Sequence, residues 1–187
     1  MGLFANIKAI FNFGKEIKRI VAEEKEREKR FLAMSSEELS ALSDDELLGA
    51  VVARAERKVE SFDEIEEGLK SLNESELVCY TLNWFETEVN NGGLCQFFVN
   101  SSSCVAPYVI ECMEKVGADQ HKRLFDDFVS DNGIDLNDLS FFKISKVNEF
   151  EKKLNSYPFE KYDEGFYDME PLETYLKRYA RAHCADF

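Results

Sequence analysis

Residues 73–100 read NESELVCYTLNWFETEVNNGGLCQFFVN. Asn73-Glu74-Ser75-Glu76 is a helix start, a short polar side chain followed three residues later by a glutamate. The run that follows, with Leu77, Val78, Tyr80, Thr81, Trp84 and Phe85, predicts a deeply buried helix as far as Gly92. Gly92 and Gly93 permit positive φ and close backbone approach, so one helix can stop there and another start at a sharp angle. A short apolar turn of helix then leads to Asn100 and three serines.

Helical signals extend to both sides. Ser43-Asp44-Asp45-Glu46 reads as a capping box that opens a helix to about Glu60, with Leu47, Leu48, Val51, Val52, Ala55 and Val59 inward. Residues 61–71 read as acidic and irregular. Downstream, a helix with Pro107 near its first turn carries Val109, Ile110, Met113 and Val116 to a stop at Gly117. Asp119 caps the next helix, which runs through Phe128 and ends at Asp131-Asn132-Gly133. Residues 134–143 are open between a turn and a short extended segment. Residues 145–154 and 159–167 read as helices, and Pro171 opens another over 172–182. No alternation is long enough for a strand, so residues 35–187 are expected to form an all-α, or nearly all-α, multi-helix domain.

Residues 1–34 read as a separate basic amphipathic helix. Leu3, Phe4, Ile7, Ile10, Phe11, Ile17 and Val21 recur at three- and four-residue steps, opposite Lys8, Asn12, Lys15 and Arg19. This stripe needs a cover. Its own domain, a second copy in a homodimer, or a membrane surface met by residues 3–21 would each provide one.

The formal charge of −14 is uneven. Residues 1–33 hold eight Lys/Arg against five Glu, whereas the remainder holds 15 basic and 32 acidic residues. Such a body repels nucleic acid directly and attracts basic proteins. Five cysteines, odd in number and without a C-x-x-C pair, suit reduced, buried thiols better than disulfides or zinc. With no signal peptide and no spanning apolar run, the expected location is the cytoplasm.

The run E-V-N-N-G-G-x-x-Q-F-F-x-N within residues 86–100, followed by serines, a helix and Val116-Gly117-Ala118, resembles a bacterial domain family of unknown biochemical activity. The segment FEKYDEGFYDMEPLETYLKRY (159–179) is also similar, and the resemblance spans about Leu72 to Phe187. The described member of that family is an acidic DNA-mimic protein that binds a transcription factor and blocks its access to DNA. The resemblance therefore implies a basic DNA-binding protein as partner.

Mimicry needs carboxylates spaced like phosphates, and side chains three or four apart on a helix are about 6 Å apart at Cβ. The candidate partner-binding rows are Asp126, Asp127, Asp131, Asp135 and Asp138; Asp63, Glu64, Glu66 and Glu67; and Glu160, Asp163 and Glu164, with Asp168 and Glu170 beyond. The motif itself has two readings. Asn91, Gly92, Gly93, Gln96 and Asn100 build a hydrogen-bonded corner, or Glu86, Asn90, Gln96 and Asn100 line a pocket for a small ligand or a basic side chain. No catalytic nucleophile, metal set or cofactor loop is recognisable: the serines at 101–103 lack a nearby His, and His183–Cys184 are neighbours in sequence, where catalytic pairs meet in space. The expectation is a binding module and not an enzyme, with a small-ligand or peptide-binding domain as the alternative.

Overall fold

The computed structural model describes residues 2–187, and the side chains of residues 16–187 except Val147. It is all-α, with ten helices, 78% of the chain helical and no strand among the described residues. In chain order the helices are α1 (Gly2–Ala33), α2 (Ser36–Ser40), α3 (Asp44–Val59), α4 (Ile65–Ser71), α5 (Glu74–Val99), α6 (Ala106–Val116), α7 (Asp119–Asp131), α8 (Phe150–Leu154), α9 (Phe159–Tyr167) and α10 (Leu172–Ala182).

Helix α5 forms the centre, and α3, α6, α9 and α10 pack around it. Its start is a full capping box: Asn73 Oδ1 accepts from the Glu76 amide at 2.8 Å, and the Glu76 carboxylate accepts from the Asn73 amide at 2.8 Å. Ser35 and Glu38 repeat the device at α2. At α3 only half of the expected box forms. Ser43 Oγ accepts from the Glu46 amide at 3.3 Å, while Glu46 Oε1 accepts from Arg30 at 3.0 Å.

An aromatic core locks the two segments of α5 to their neighbours. Phe85 meets Phe97 and Phe125 edge-on at 4.9 and 5.0 Å, and Phe98 stacks on Phe142 at 4.7 Å. Each such ring, fully buried, contributes about 1.5–3 kcal/mol.

Three local readings need correction. Residues 61–71 are not all irregular, because α4 forms without a side-chain cap where Gly68 lies against the Val59 backbone, too close for a Cβ. Ala118, not Asp119, is the N-cap of α7. Helix structure after Ser145 begins only at Val147, with the amides of Ser145 and Lys146 donating to the Glu149 carboxylate at 2.6 and 3.2 Å.

The C-terminal end of α1 is anchored on α3. Phe31 is 3% exposed, and the Arg54 guanidinium donates to the carbonyls of Phe31, at 3.0 Å, and Met34. Nearer its start the helix is uncovered, with Ile17, Ile20 and Val21 exposed. The side chains of Leu3, Phe4, Ile7, Ile10 and Phe11 lie outside the described residues. No described helix is long and apolar enough to cross a membrane.

Candidate functional site

The glycine pair bends α5. Gly93 sits at φ 74°, where an L side chain is strained, and a Cβ there would strike the Asp163 carboxylate. Gly92 is extended at φ −169°, and its bare Cα leaves room for the Gln96 side chain.

The bend folds three donors onto one carboxylate. Glu88 accepts from Gln96 Nε2 at 2.9 Å, Asn100 Nδ2 at 2.8 Å and Ser102 Oγ at 2.9 Å. Glu88 is 8% exposed, and all three donors are neutral. On the other side of the bend Asp163 of α9 accepts from the Leu94 amide at 2.8 Å, so it caps the second segment of α5. Burial holds the Asp163 carboxyl above the usual carboxylate range, opposed by that amide. The Tyr167 hydroxyl donates to the Val89 carbonyl at 2.7 Å.

The four polar residues expected to act together therefore part company. Gln96 and Asn100 turn to Glu88, while Glu86 and Asn90 face a groove of about 800 Å³ between α1, α3 and the start of α10. Glu86 is 8% exposed. Burial pushes its carboxyl up, and the amides of Leu172 and Glu173 in the first turn of α10 pull it back. Asn91 is exposed. Glu88 lies outside the polar set that the sequence suggests, although it opens the E-V-N-N run. Its signal was a carboxylate inside a helix whose surroundings are apolar, which obliges it to find donors.

Asp63, Glu64, Glu66 and Glu67 on or before α4, Asp126, Asp127, Asp131, Asp135 and Asp138 on and after α7, and Glu160 and Glu164 on α9 are all exposed. None of them pairs with a lysine or arginine among the described residues. The ion pairs fall elsewhere, as in Glu74–Lys115, Glu114–Lys122 and Asp45–Lys177. Asp163 leaves the third row, because its charge is turned inward on Gly93 and Leu94.

Two grooves border the rows. Asp127 and Asp131 share one with Lys161 and Tyr162 of α9, and the Tyr162 hydroxyl donates to Asp131 at 2.9 Å. Glu66 shares another, of about 400 Å³, with Asn100, Ser101 and the loop through Leu136 and Leu139 that carries Asp138.

The His183 ring stacks on Tyr179 at 4.2 Å, with Nδ1 3.3 Å from Asp186. Burial pushes the Cys79 and Cys112 thiols up to about 12 and Cys95 to about 11. No group of three or more metal-ligating side chains occurs among the described residues.

The helices from α5 to α10, with the bend at their centre, are the part of the chain matched by a family model, that of DMP19-like protein, over residues 70–183. The chain belongs to the DMP19-like family. Searches of curated proteins and of solved structures found no match. The DMP19-like region contains the Glu88 corner, the α7 and α9 rows and the Asp163 cap, while α1, α2, α3 and most of α4 lie before it.

Proposed function

We propose that this DMP19-like chain is an acidic protein-binding module that acts as a DNA mimic, presenting the carboxylates of α4, α7 and α9 to the DNA-binding surface of a basic protein. The observation that carries the reading is the set of exposed carboxylates in these rows that form no salt bridge among the described residues, on a body holding 32 acidic against 15 basic residues beyond position 33. Carboxylates without salt bridges, held on helices and on the turns beside them, attract a polycationic surface as phosphates do, through Coulomb attraction and the release of bound ions. On this reading the chain works in the cytoplasm and by binding, without chemistry on its partner.

The test compares the immobilised chain with a variant carrying Asn at positions 126, 127, 131, 135 and 138. Proteins retained at low salt are expected to be released steeply between about 50 and 200 mM salt, as phosphate-binding surfaces are. They should also be displaced by duplex DNA and be absent from the variant. Retention that ignores salt, that DNA does not displace, or that the variant keeps in full would overturn the reading.

The exposed Ile17, Ile20 and Val21 beside Lys18 and Arg19 support a second proposal, that α1 lies on a membrane surface. Flotation of the chain with anionic liposomes, lost when residues 3–21 are removed, is the expected result. Equal flotation without them would sink the idea.

A further inference from the structure

We infer that the pocket between α3, α4 and the bend of α5 is a socket for one lysine side chain of a basic partner protein, with Glu88 as acceptor for its ammonium group. The inference rests on the acidic-module reading for the identity of the partner, but its geometry stands apart from the rows.

The pocket holds about 310 Å³ and is walled by Tyr80, Trp84 and Phe62, with Val59 and Ile65 beside them. That is the lower end of small-ligand sites, room for one side chain and little more. Its charged lining residues are Glu60, Asp63 and Glu88, with no cation among them. In contrast, the groove between α7 and α9 contains Arg123 and Lys161. Glu60 is paired only at 3.7 Å, with Arg57 outside the pocket. Aromatic faces and carboxylates together select an organic cation on an apolar stem. The Tyr80 phenol reports the same surroundings, pushed up to about 12 by burial and then by Cys104, Glu56 and Glu60.

The hydrogen bonds of Glu88 choose between the two basic side chains. A carboxylate offers about four acceptor positions. Oε2 already takes Gln96 and Asn100, and Oε1 takes Ser102, so one position on Oε1 is left. A guanidinium seeks both oxygens at once through its planar fork. An ammonium needs only one acceptor and turns its remaining protons to water or to the rim. Phe62 is 40% exposed at that rim, beside Asp63 of the α4 row, so a basic segment lying along α4 would pass over the opening.

Trp84 is the single tryptophan of the chain, which makes it the reporter. The full chain is titrated, at constant ionic strength, with the N-acetyl methylamides of lysine, arginine and norleucine while Trp84 emission is followed. The lysine probe is expected to give a saturable change, the arginine probe a weaker one and the norleucine probe none. Glu88→Gln should weaken the lysine probe about ten-fold, the scale of one hydrogen bond to a charged group. Phe62→Ala, on the exposed rim and outside the core, should weaken it about three-fold while the fold is kept. No saturable response to lysine, equal responses to all three probes, an arginine response as strong as the lysine one, or an unchanged response in the Phe62 variant would each overturn the socket. Failure here with salt-sensitive, DNA-displaceable partner binding intact would leave the acidic-module reading standing, and the reverse result would remove that reading and keep the pocket.

Discussion

Gly93 and Glu88 show how single positions govern the bend. Gly93→Ala forces a side chain into positive φ and against the Asp163 carboxylate, and is expected to cost about 1–3 kcal/mol, read as a lower urea midpoint with an unchanged slope. Glu88→Ala leaves the side chains of Gln96, Asn100 and Ser102 without their shared acceptor, and a loss of about 2–4 kcal/mol follows in the same assay. Glu86 carries a pH signature. Its folded pKa is raised, so the folded state binds the proton more tightly than the unfolded chain, and stability falls as pH rises from the ordinary glutamate value through the raised one. The stability of Glu86→Gln relative to wild type should therefore climb with pH across that window and be level on either side. Denaturation curves from pH 3 to pH 8 measure it, and a difference that is flat or falls with pH contradicts the assignment. The glycines and amides of the bend were legible in the sequence because each residue type has one common task. Glu88 was not, because its donors lie eight to fourteen residues ahead and meet it only once the chain has turned.

At the scale of the helix, legibility followed the presence of local signals. The bounds of α9 and α10 follow from aromatic spacing and from Pro171, and Gly117 ends α6 in the left-handed conformation that its type favours. No side chain caps helix α4, so no local signal marks it. Its shape comes from α3, through the approach of Gly68 to Val59, and no local pattern encodes that contact. Asp163 reads as part of an acidic row for the same reason, since only the packing of α9 against α5 reveals its task. The attachment of α1 gives a sharp test. Arg54→Ala removes the donor to the last carbonyls of that helix, and limited proteolysis between residues 16 and 30 should quicken while the core helices keep their protection. Unchanged cleavage would mean that Phe31 and the ion pairs Arg30–Glu46 and Glu28–Arg57 hold the helix without Arg54.

Across the whole molecule, charge and apolar groups are sorted by depth. Cys79, Cys95 and Cys112 are buried and Cys104 and Cys184 partly so, and burial keeps the first three thiols protonated. A thiol reagent at pH 8 is expected to leave Cys79, Cys95 and Cys112 unmodified in the native chain and to label all five cysteines in denaturant, with mass spectrometry locating the adducts. Rapid native labelling of Cys79 would contradict the packing of α5. The all-α architecture and the surplus of negative charge were readable from composition and periodicity. Which carboxylates stay free of cations was not, because pairing depends on the distances between helices.

The bond from Asp163 to Leu94 spans 69 residues, and it sets a delay during synthesis. At about 5–20 residues per second a ribosome takes roughly 3–14 s to add the acceptor after the donor has been made. Through that interval the Leu94 amide lacks its acceptor, while Phe97 and Phe98 already have Phe85, Phe125 and Phe142 to pack on. A stalled product ending near residue 150 would therefore hold the glycine bend without the carboxylate that caps its second segment, and should be cut there by protease faster than the chain that includes α9.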